Sequence, residues 1–239
     1  RSRGLGDVYK RQPQEVARLK SLGIRSYDEL SDIQEKNVLI RTHGVAPSVY
    51  EDIEKSGHAY FDCTCPKVKK VQQIAREHAE AGYQVLILGD RNHPEVMAIV
   101  GWTGDTAIVF ISLDELKALS LAGKKICLVS QTTEKLERFE SAVAYLQSLE
   151  LEELVIHNTI CAATRDRQSD ASDLAREVDL MVVIGGYNSA NTCKLVSICQ
   201  DAGVMTKHVE SAADLEDEWF RGIEKIGLTA GASTPDWII

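Results

Sequence analysis

The sequence has no long apolar run and no excess of positive charge, and both absences narrow the possible functions. No stretch of the 239 residues approaches the roughly 18 consecutive apolar residues of a membrane helix, and no secretory signal is visible. The net charge is −9, which argues against a nucleic-acid or anionic-membrane surface because both need a basic footprint. We expect a cytoplasmic protein that binds neither nucleic acid nor membrane.

The sequence also lacks the features of a disulfide-stabilised secreted domain, although it has six cysteines. A non-secreted chain of this length uses cysteines mainly as metal ligands, redox groups or core residues. The positions are Cys63, Cys65, Cys127, Cys161, Cys193 and Cys199.

Short apolar runs rich in β-branched residues alternate with amphipathic stretches along the chain. This alternation predicts βαβ units and parallel sheets. The predicted strands are Val38–Ile40, Val85–Leu88, Ala107–Ile111, Ile126–Val129, Leu154–Ile156, Leu180–Ile184 and Ile226–Leu228. The predicted helices are Gln14–Leu22, Ser48–Lys55, Pro66–Ala81, Lys135–Leu149, Arg167–Arg176 and Ala190–Ala202.

Two cysteines begin two copies of an internal repeat. Cys65 is followed 20 residues later by the apolar run 85–89, and Cys161 is followed 20 residues later by the run 181–185. Four residues beyond the glycine of each run comes a polar cluster: His93-Pro94-Glu95 in one copy and Ser189-Ala190-Asn191 in the other. The repeat therefore pairs His93 with Ser189 and Glu95 with Asn191.

Each copy then continues with a helix and a strand that ends in a second polar loop. These loops are Ser130-Gln131-Thr132-Thr133 and Ala230-Gly231-Ala232-Ser233, and a third copy lies earlier at Thr42-His43-Gly44. The sequence thus predicts an α/β fold of three pseudo-threefold-related units with parallel sheets, a cloverleaf around a central site. The expected domains are 1–64, an incomplete first unit, then 65–160 and 161–239.

The first unit lacks its front half. Arg11-Gln12-Pro13 stands roughly where His93-Pro94-Glu95 stands in the second unit. Carrying the step from Cys65 to His93 backward from Arg11 places the missing cysteine about 17 residues before residue 1.

The arrangement suits an anionic ligand beside a metal centre. Ligands of open α/β sheets bind beyond the carboxyl ends of the strands, and the amino-terminal ends of helices favour anions. Hydroxyls, amides and imidazoles in these loops suit a phosphate or diphosphate. A cysteine at a helix start has a favoured thiolate, and three such thiolates can hold a [4Fe-4S] cluster with one iron open to substrate.

Six motifs resemble the LytB-type 4-hydroxy-3-methylbut-2-enyl diphosphate reductases, from about Pro13 to the end of the chain. They are Asp62-Cys-Thr-Cys65-Pro66, Asn92-His93-Pro94-Glu95-Val96, Ser130-Gln131-Thr132-Thr133, Cys161-Ala-Ala-Thr164, Asn188-Ser189-Ala190-Asn191 and Thr229-Ala-Gly-Ala-Ser233. The resemblance implies an oxidoreductase of the non-mevalonate isoprenoid pathway. It would use a [4Fe-4S] cluster to remove the allylic hydroxyl of its substrate, and it would yield isopentenyl and dimethylallyl diphosphate. Electrons would come from a ferredoxin- or flavodoxin-like donor.

The resemblance also implies roles for single residues. Cys65 and Cys161 resemble the cluster ligands, and Glu95 the proton-delivering acid, paired with Thr132 at the substrate. The implied substrate contacts are His43, His93, Thr132, Thr164, Ser189, Asn191 and Ser233. The chain departs from the family in its absent amino-terminal cysteine, in Arg11-Gln12 where a His-Asn pair is usual, and in Ala190 where a second serine is common.

Other interpretations stay open. The chain could be a non-catalytic module that binds a small anion, or an inactive fragment without its first cluster cysteine. A zinc site of Cys63, Cys65 and Cys161 ranks last because the usual Cys-x₂₋₄-Cys spacing is absent.

The remaining cysteines and histidines have ordinary structural interpretations. The hydroxyl side chains named above also have one, because each of them could be an ordinary helix N-cap. We interpret Cys63 as a bystander, Cys127 as a core residue, and Cys193 and Cys199 as packing residues of a helix. The histidines without a matched partner, read as surface residues, are His58, His78, His157 and His208.

Overall fold

The computed structural model describes residues 12–27 and 30–239, and within them parallel strands alternate with helices. The helices are α1 (Pro13–Ser21), α2 (Pro47–Lys55), α3 (Pro66–Glu80), α4 (Pro94–Trp102), α5 (Leu113–Lys117), α6 (Leu136–Gln147), α7 (Ala162–Ala175) and α8 (Ala190–Asp201). The strands are β1 (Asn37–Ile40), β2 (Ala59–Asp62), β3 (Gln84–Leu88), β4 (Ile108–Phe110), β5 (Lys125–Ser130), β6 (Glu153–Ile156), β7 (Leu180–Ile184), β8 (Met205–Val209) and β9 (Ile226–Ala230). Short 3₁₀ turns lie at Leu30–Asp32, Ala212–Asp214 and Asp217–Phe220.

The strands form three separate sheets, and every described pairing is parallel. β1 pairs with β2, the middle sheet has the order β4-β3-β5-β6, and the last has the order β8-β7-β9. The α/β class with parallel sheets predicted from the alternating pattern is therefore confirmed. None of the described helices combines the length and apolar character that crossing a membrane requires.

The described residues divide into two compact units. The first unit holds residues 26–161 apart from 28 and 29, with the β1-β2 sheet and the four-stranded sheet. The second unit holds residues 12–25 and Ala162–Ile239, with helix α1 and the three-stranded sheet. Each sheet falls inside one of the three predicted domain ranges, and the boundaries of those ranges stay a prediction.

Apolar strands buried on both faces form the core of each unit. In β3, Leu86 and Leu88 pack among residues of α5 and α6, whereas Val85 and Ile87 pack among residues of α3 and α4. Successive strand residues point to opposite faces, so a continuous apolar run is what a sheet covered by helices on both sides requires. β7 has the same all-buried pattern.

Backbone hydrogen bonds show that the repeat is structural. In the first unit, the Gly89 N–H donates to the end of β4 and the Gln131 N–H donates to Leu88 O. In the second unit, the Gly185 N–H donates to the end of β8 and the Gly231 N–H donates to Ile184 O. The polar loops after β3 and β5 therefore correspond to those after β7 and β9.

The structure also corrects several predicted elements. Strands β2 and β8 and helix α5 were not predicted, β4 is shorter than the predicted strand 107–111, and α7 begins at Ala162 rather than at Arg167. Among the described strands β8 pairs only with β7, and it carries polar residues at its centre, so no apolar run marks it. The proposed counterpart of His93 at Arg11 lies outside the described residues.

Candidate functional site

Glu95 and Thr132 form a buried hydrogen-bonded pair in the first unit. Glu95 is the second residue of α4 and is 2% exposed. Its carboxylate accepts from the Thr132 N–H at 2.6 Å and from the Thr132 hydroxyl at 2.7 Å. A charged hydrogen bond of this length is strong, so the pair is an acid held against a hydroxyl through which a proton can pass.

Two imidazoles lie beside this pair. His93 caps α4, and its Nδ1 accepts from the Glu95 N–H at 3.2 Å. An accepting Nδ1 places the proton of a neutral ring on Nε2, which is then a donor. The His43 ring meets the His93 ring edge-on, with centroids 5.2 Å apart. His93 is therefore the N-cap of α4, and its neutral ring carries the proton on Nε2.

The loop that carries Thr132 is fixed from both sides. The Gln131 side chain accepts from the Asp90 N–H at 3.2 Å, and its amide donates to Thr133 at 2.9 Å. The Thr159 hydroxyl accepts from the Ser130 N–H at 2.8 Å. These bonds hold the Thr132 backbone before any substrate arrives, and such preorganisation is what catalytic groups need.

Cys65 and Cys161 occupy equivalent backbone positions. The Cys65 N–H donates to Thr42 O and the Cys161 N–H donates to Thr132 O, each at 2.9 Å. Each acceptor lies two residues beyond the end of its strand, and each cysteine directly precedes a helix. Both thiols are free and half-buried. The repeat thus places two thiols where the same loop geometry recurs.

A small polar network holds the segment before Cys65. The Asp62 carboxylate accepts from the Thr64 N–H at 3.0 Å and pairs with Lys69 Nζ at 2.7 Å. Burial alone raises the pKa of Asp62, but the hydrogen bonds from Lys69 and Thr64 outweigh it and hold that pKa below its usual value. The segment is therefore clamped to the first turn of α3 by a charged residue.

In the second unit, the start of α8 carries a buried amide without a hydrogen-bond partner. Ser189 caps the helix by accepting from the Thr192 N–H at 3.3 Å. Asn191, the second residue of α8, is 7% exposed, and neither polar atom of its amide has a partner among the described residues. Buried polar groups are normally paired, so this amide at a helix N-terminus suits an anionic ligand.

Two glycines let the loops after β7 and β9 approach each other closely. A Cβ on Gly185, whose φ is +150°, would lie 2.7 Å from the hydroxyls of Thr192 and Thr234, and one on Gly231 would lie 2.1 Å from the Thr192 hydroxyl. The Thr234 hydroxyl donates to the end of β7. The remaining predicted contacts differ in exposure: Ser233 is exposed on the loop, whereas Thr164 is buried in the first turn of α7.

The second unit also has an open cavity of about 420 Å³ between α7 and β9. Arg167, Asp170 and Leu228 line it, together with residues of the loop after β9. Ser189 and Asn191 are not among its lining residues, whereas both chain neighbours of Ser233, Ala232 and Thr234, are.

The interpretation of three histidines as surface residues, and of Cys193 as a packing residue, was wrong. His78 and His157 are half-buried and stack edge-on with centroids 5.0 Å apart, and His208 hydrogen-bonds Gly185 O at 3.0 Å. Cys193 is exposed, and its thiol donates to Tyr187 O. Cys127 and Cys199 are fully buried, as predicted.

No role was predicted for two residues that support the site from behind. Thr42 and Thr159 act through backbone or hydroxyl contacts to partners 23 and 29 residues away. Only the recurrence of polar loops could have singled out Thr42, because its role is a carbonyl that any residue possesses.

Comparisons with known proteins agree with this geometry. A family model described as LytB protein matches residues 9–239. The 4-hydroxy-3-methylbut-2-enyl diphosphate reductase of Trichlorobacter lovleyi is 42% identical over 228 residues, which are 95% of this chain and 80% of the relative.

Two solved structures are also similar. The structure of the E-1-hydroxy-2-methyl-but-2-enyl-4-diphosphate reductase from Plasmodium falciparum matches with a TM-score of 0.86 at 25% identity, and covers 93% of this chain and 71% of that one. A structure of (E)-4-hydroxy-3-methyl-but-2-enyl diphosphate reductase, described as the terminal enzyme of the non-mevalonate pathway, matches with a TM-score of 0.66 at 38% identity. That match covers 98% of this chain and 83% of the other.

Proposed function

Because this chain belongs to the LytB family, we propose that it reductively removes the allylic hydroxyl of 4-hydroxy-3-methylbut-2-enyl diphosphate at a [4Fe-4S] cluster. The reaction consumes two electrons and two protons, releases water, and gives isopentenyl and dimethylallyl diphosphate. The observation that supports it best is the Glu95–Thr132 pair, which holds an acid and a hydroxyl 2.7 Å apart in a buried loop.

The residues present fit a thiolate-bound cluster. Cys65 and Cys161 are free, half-buried and fixed by the same backbone hydrogen bond, at 2.9 Å in each case. Cysteine sulfur is the usual ligand of iron–sulfur clusters. We expect the third ligand from the upstream cysteine that the repeat predicts. When bound, the cluster supplies the electrons and an iron open to the substrate hydroxyl.

Glu95 and Thr132 supply the proton. In this step a protonated Glu95 gives its proton to the Thr132 hydroxyl oxygen while the Thr132 hydroxyl passes its own proton to the departing oxygen. Glu95 is left as the carboxylate that accepts from Thr132. His93 caps α4 through Nδ1, so its Nε2–H can donate to the substrate, and His43 lies against the same ring. Positioned proton transfer of this kind contributes typically 10²–10⁴-fold in rate.

The diphosphate is bound by the second unit's loops in this proposal. Asn191 has a buried amide without a described partner, and Ser189 shares its helix N-terminus. Ser233 and Thr164 are the remaining proposed contacts, and an electron donor of the ferredoxin or flavodoxin type completes the reaction.

The decisive experiment combines a spectrum with turnover. Anaerobic reconstitution with iron and sulfide is measured on this chain and on one extended by the upstream stretch in which the repeat predicts a third cysteine. At least one of the two reconstituted proteins should be brown. If both are colourless, the cluster proposal is refuted. In the brown protein, Glu95→Gln should keep the visible spectrum and lose roughly 10²–10⁴-fold in turnover.

A non-catalytic diphosphate-binding protein is the alternative, and the unpaired Asn191 amide fits it equally well. Calorimetric titration with inorganic diphosphate should show weaker binding for Asn191→Ala in either case. Turnover by the reconstituted protein decides against the alternative, whereas tight binding without any turnover decides for it.

A further inference from the structure

Three side chains that can bind a metal converge beneath α3 in the first unit, and the proposed function uses none of them. His78 lies in the last turn of α3, Cys127 in β5, and His157 directly after β6. One ligating atom from each lies within 4.8 Å of the other two. Within the described residues this is the one such group of histidine, cysteine or acidic side chains.

The two imidazoles are prepared to bind through Nε2. The Nδ1 of His78 lies 2.8 Å from Ile74 O, and because a carbonyl can only accept, the proton is on Nδ1 and Nε2 keeps its lone pair. This ring-to-carbonyl bond is the outer contact that metal-binding histidines commonly make. The Nε2 of His157 is buried and has no partner among the described residues.

The third candidate ligand is the thiol of a core residue, Cys127. Cys127 is fully buried, and burial raises the pKa of its thiol to about 12. Without a metal it stays a neutral core residue.

The spacing and chemistry favour zinc. With Zn–N near 2.0 Å and Zn–S near 2.3 Å, tetrahedral ligand atoms lie about 3.3–3.6 Å apart. The three atoms of this group lie within 4.8 Å of one another, so zinc binding requires the side chains to move closer together. One thiolate and two imidazoles match the nitrogen and sulfur ligands of zinc, and a water can complete the tetrahedron.

We propose that His78, Cys127 and His157 form a zinc site that ties α3 to strands β5 and β6. His78 lies thirteen residues after Cys65, about 20 Å along the helix, so the site is separate from this proposed cluster ligand. Bound zinc fixes the far end of the helix whose first turn follows Cys65, and stabilises the native state by mass action.

The test uses the full chain with Cys65→Ser and Cys161→Ser, which removes the proposed cluster ligands as competing thiolates. After chelator treatment, the protein is titrated with Co²⁺, whose tetrahedral thiolate complexes absorb in the visible and near-ultraviolet, and Zn²⁺ is then added in competition. We expect one equivalent of tetrahedral cobalt signal, its displacement by zinc, and a higher midpoint of thermal unfolding with zinc.

Matched variants assign the signal. Cys127→Ala and His157→Gln should lose the cobalt bands and weaken zinc binding by more than about 100-fold, beyond the loss typical of an outer contact. Cys199→Ala and His208→Gln, a buried thiol and a half-buried imidazole of the second unit, should keep both.

Circular dichroism of each metal-free variant checks that it is folded. If a variant is not folded, zinc protection of Cys127 from alkylation is measured instead on the Cys65→Ser and Cys161→Ser protein under mild denaturant. Alkylation that is equally fast with and without zinc would overturn the proposal. A cobalt signal that survives Cys127→Ala, or its absence from the parent protein, would overturn the proposal.

Discussion

The hydrogen bond from the Thr132 hydroxyl to Glu95 can be weighed by its removal. Thr132→Val keeps the shape of the side chain but leaves a buried carboxylate, 2% exposed, without its 2.7 Å partner. Hydrogen bonds to charged groups contribute about 1.5–3 kcal/mol. Thr132→Ser keeps the hydroxyl and loses a methyl group, which costs about 0.8 kcal/mol. The valine variant should therefore be the less stable of the two.

The assay must report on the first unit alone, because a chain with two compact units need not unfold in one step. Trp102 ends α4 and donates to Val45 O at 3.0 Å, so its fluorescence follows the helix that carries Glu95. Trp219→Phe and Trp237→Phe remove the other two tryptophans. With a slope of about 2 kcal/mol/M in urea, the valine variant should lower the midpoint by about 0.8–1.5 M.

The comparison with serine carries the test. If Thr132→Val is no less stable than Thr132→Ser, the hydroxyl contributes nothing to the buried carboxylate, and the pair is not the strong contact its distance suggests. In a background of Glu95→Gln the penalty for valine should shrink, since the charge is gone. If Thr132→Val is equally destabilising in that background, the loss of stability does not come from the contact with Glu95.

Three further predictions concern stability. Because the pKa of Asp62 is held below its usual 3.8, its contribution to stability is present above that pH and is lost as pH falls through the folded value. Lys69→Met should therefore have a lower urea midpoint than the wild type at neutral pH, and the difference should become smaller below pH 3.8. An equal difference at all pH values would contradict this. Burial lowers the pKa of His208 from 6.5, so its contribution to stability is present above pH 6.5 and is lost as pH falls below that value. When the pH is lowered from about 7.5 to about 5.5, the thermal midpoint of the wild type should therefore fall further than that of His208→Gln. Gly231→Ala should destabilise the second unit by about 1–3 kcal/mol through overpacking, whereas Gly186→Ala, whose Cβ would meet its neighbours at 3.6 Å or more, should be neutral in calorimetry.

The repeat was predictable because both of its components are local in sequence. Runs such as 85–88 and 180–184 are buried on both faces, so they stand out as apolar, and the loops that follow must be polar because they end the strands. β2 and β8 were missed for the opposite reason. Each lies at an edge: β2 has only four residues, none of them fully buried, and β8 has polar residues at its centre and only Val209 fully buried. Such strands owe their conformation to a neighbour rather than to their own pattern.

The cluster of His78, Cys127 and His157 shows where prediction from sequence ends. The three residues come from a helix, a strand and a loop spread over 80 positions, and no spacing rule joins them. His78 faces inward because it lies one helical turn after Ile74, a residue of the core. His157 faces inward because β6 pairs with β5 in a register that sets Cys127 opposite Val155. Both facts are properties of the packed unit.

Thr132 connects the two kinds of group that the proposed reaction needs. Its carbonyl accepts from the Cys161 N–H, while its own N–H and hydroxyl donate to Glu95. The equivalent residue of the earlier loop, Thr42, makes the carbonyl contact to Cys65. The carbonyl contact therefore belongs to the repeat, and the acid contact belongs to the second copy. Both loops contact a cysteine through a carbonyl, but only the loop of Thr132 also contacts Glu95 among the described contacts. For that reason the pairing of Glu95 with Asn191 by position does not make them equivalent in chemistry: one is buried against a hydroxyl, and the other is buried without a described partner.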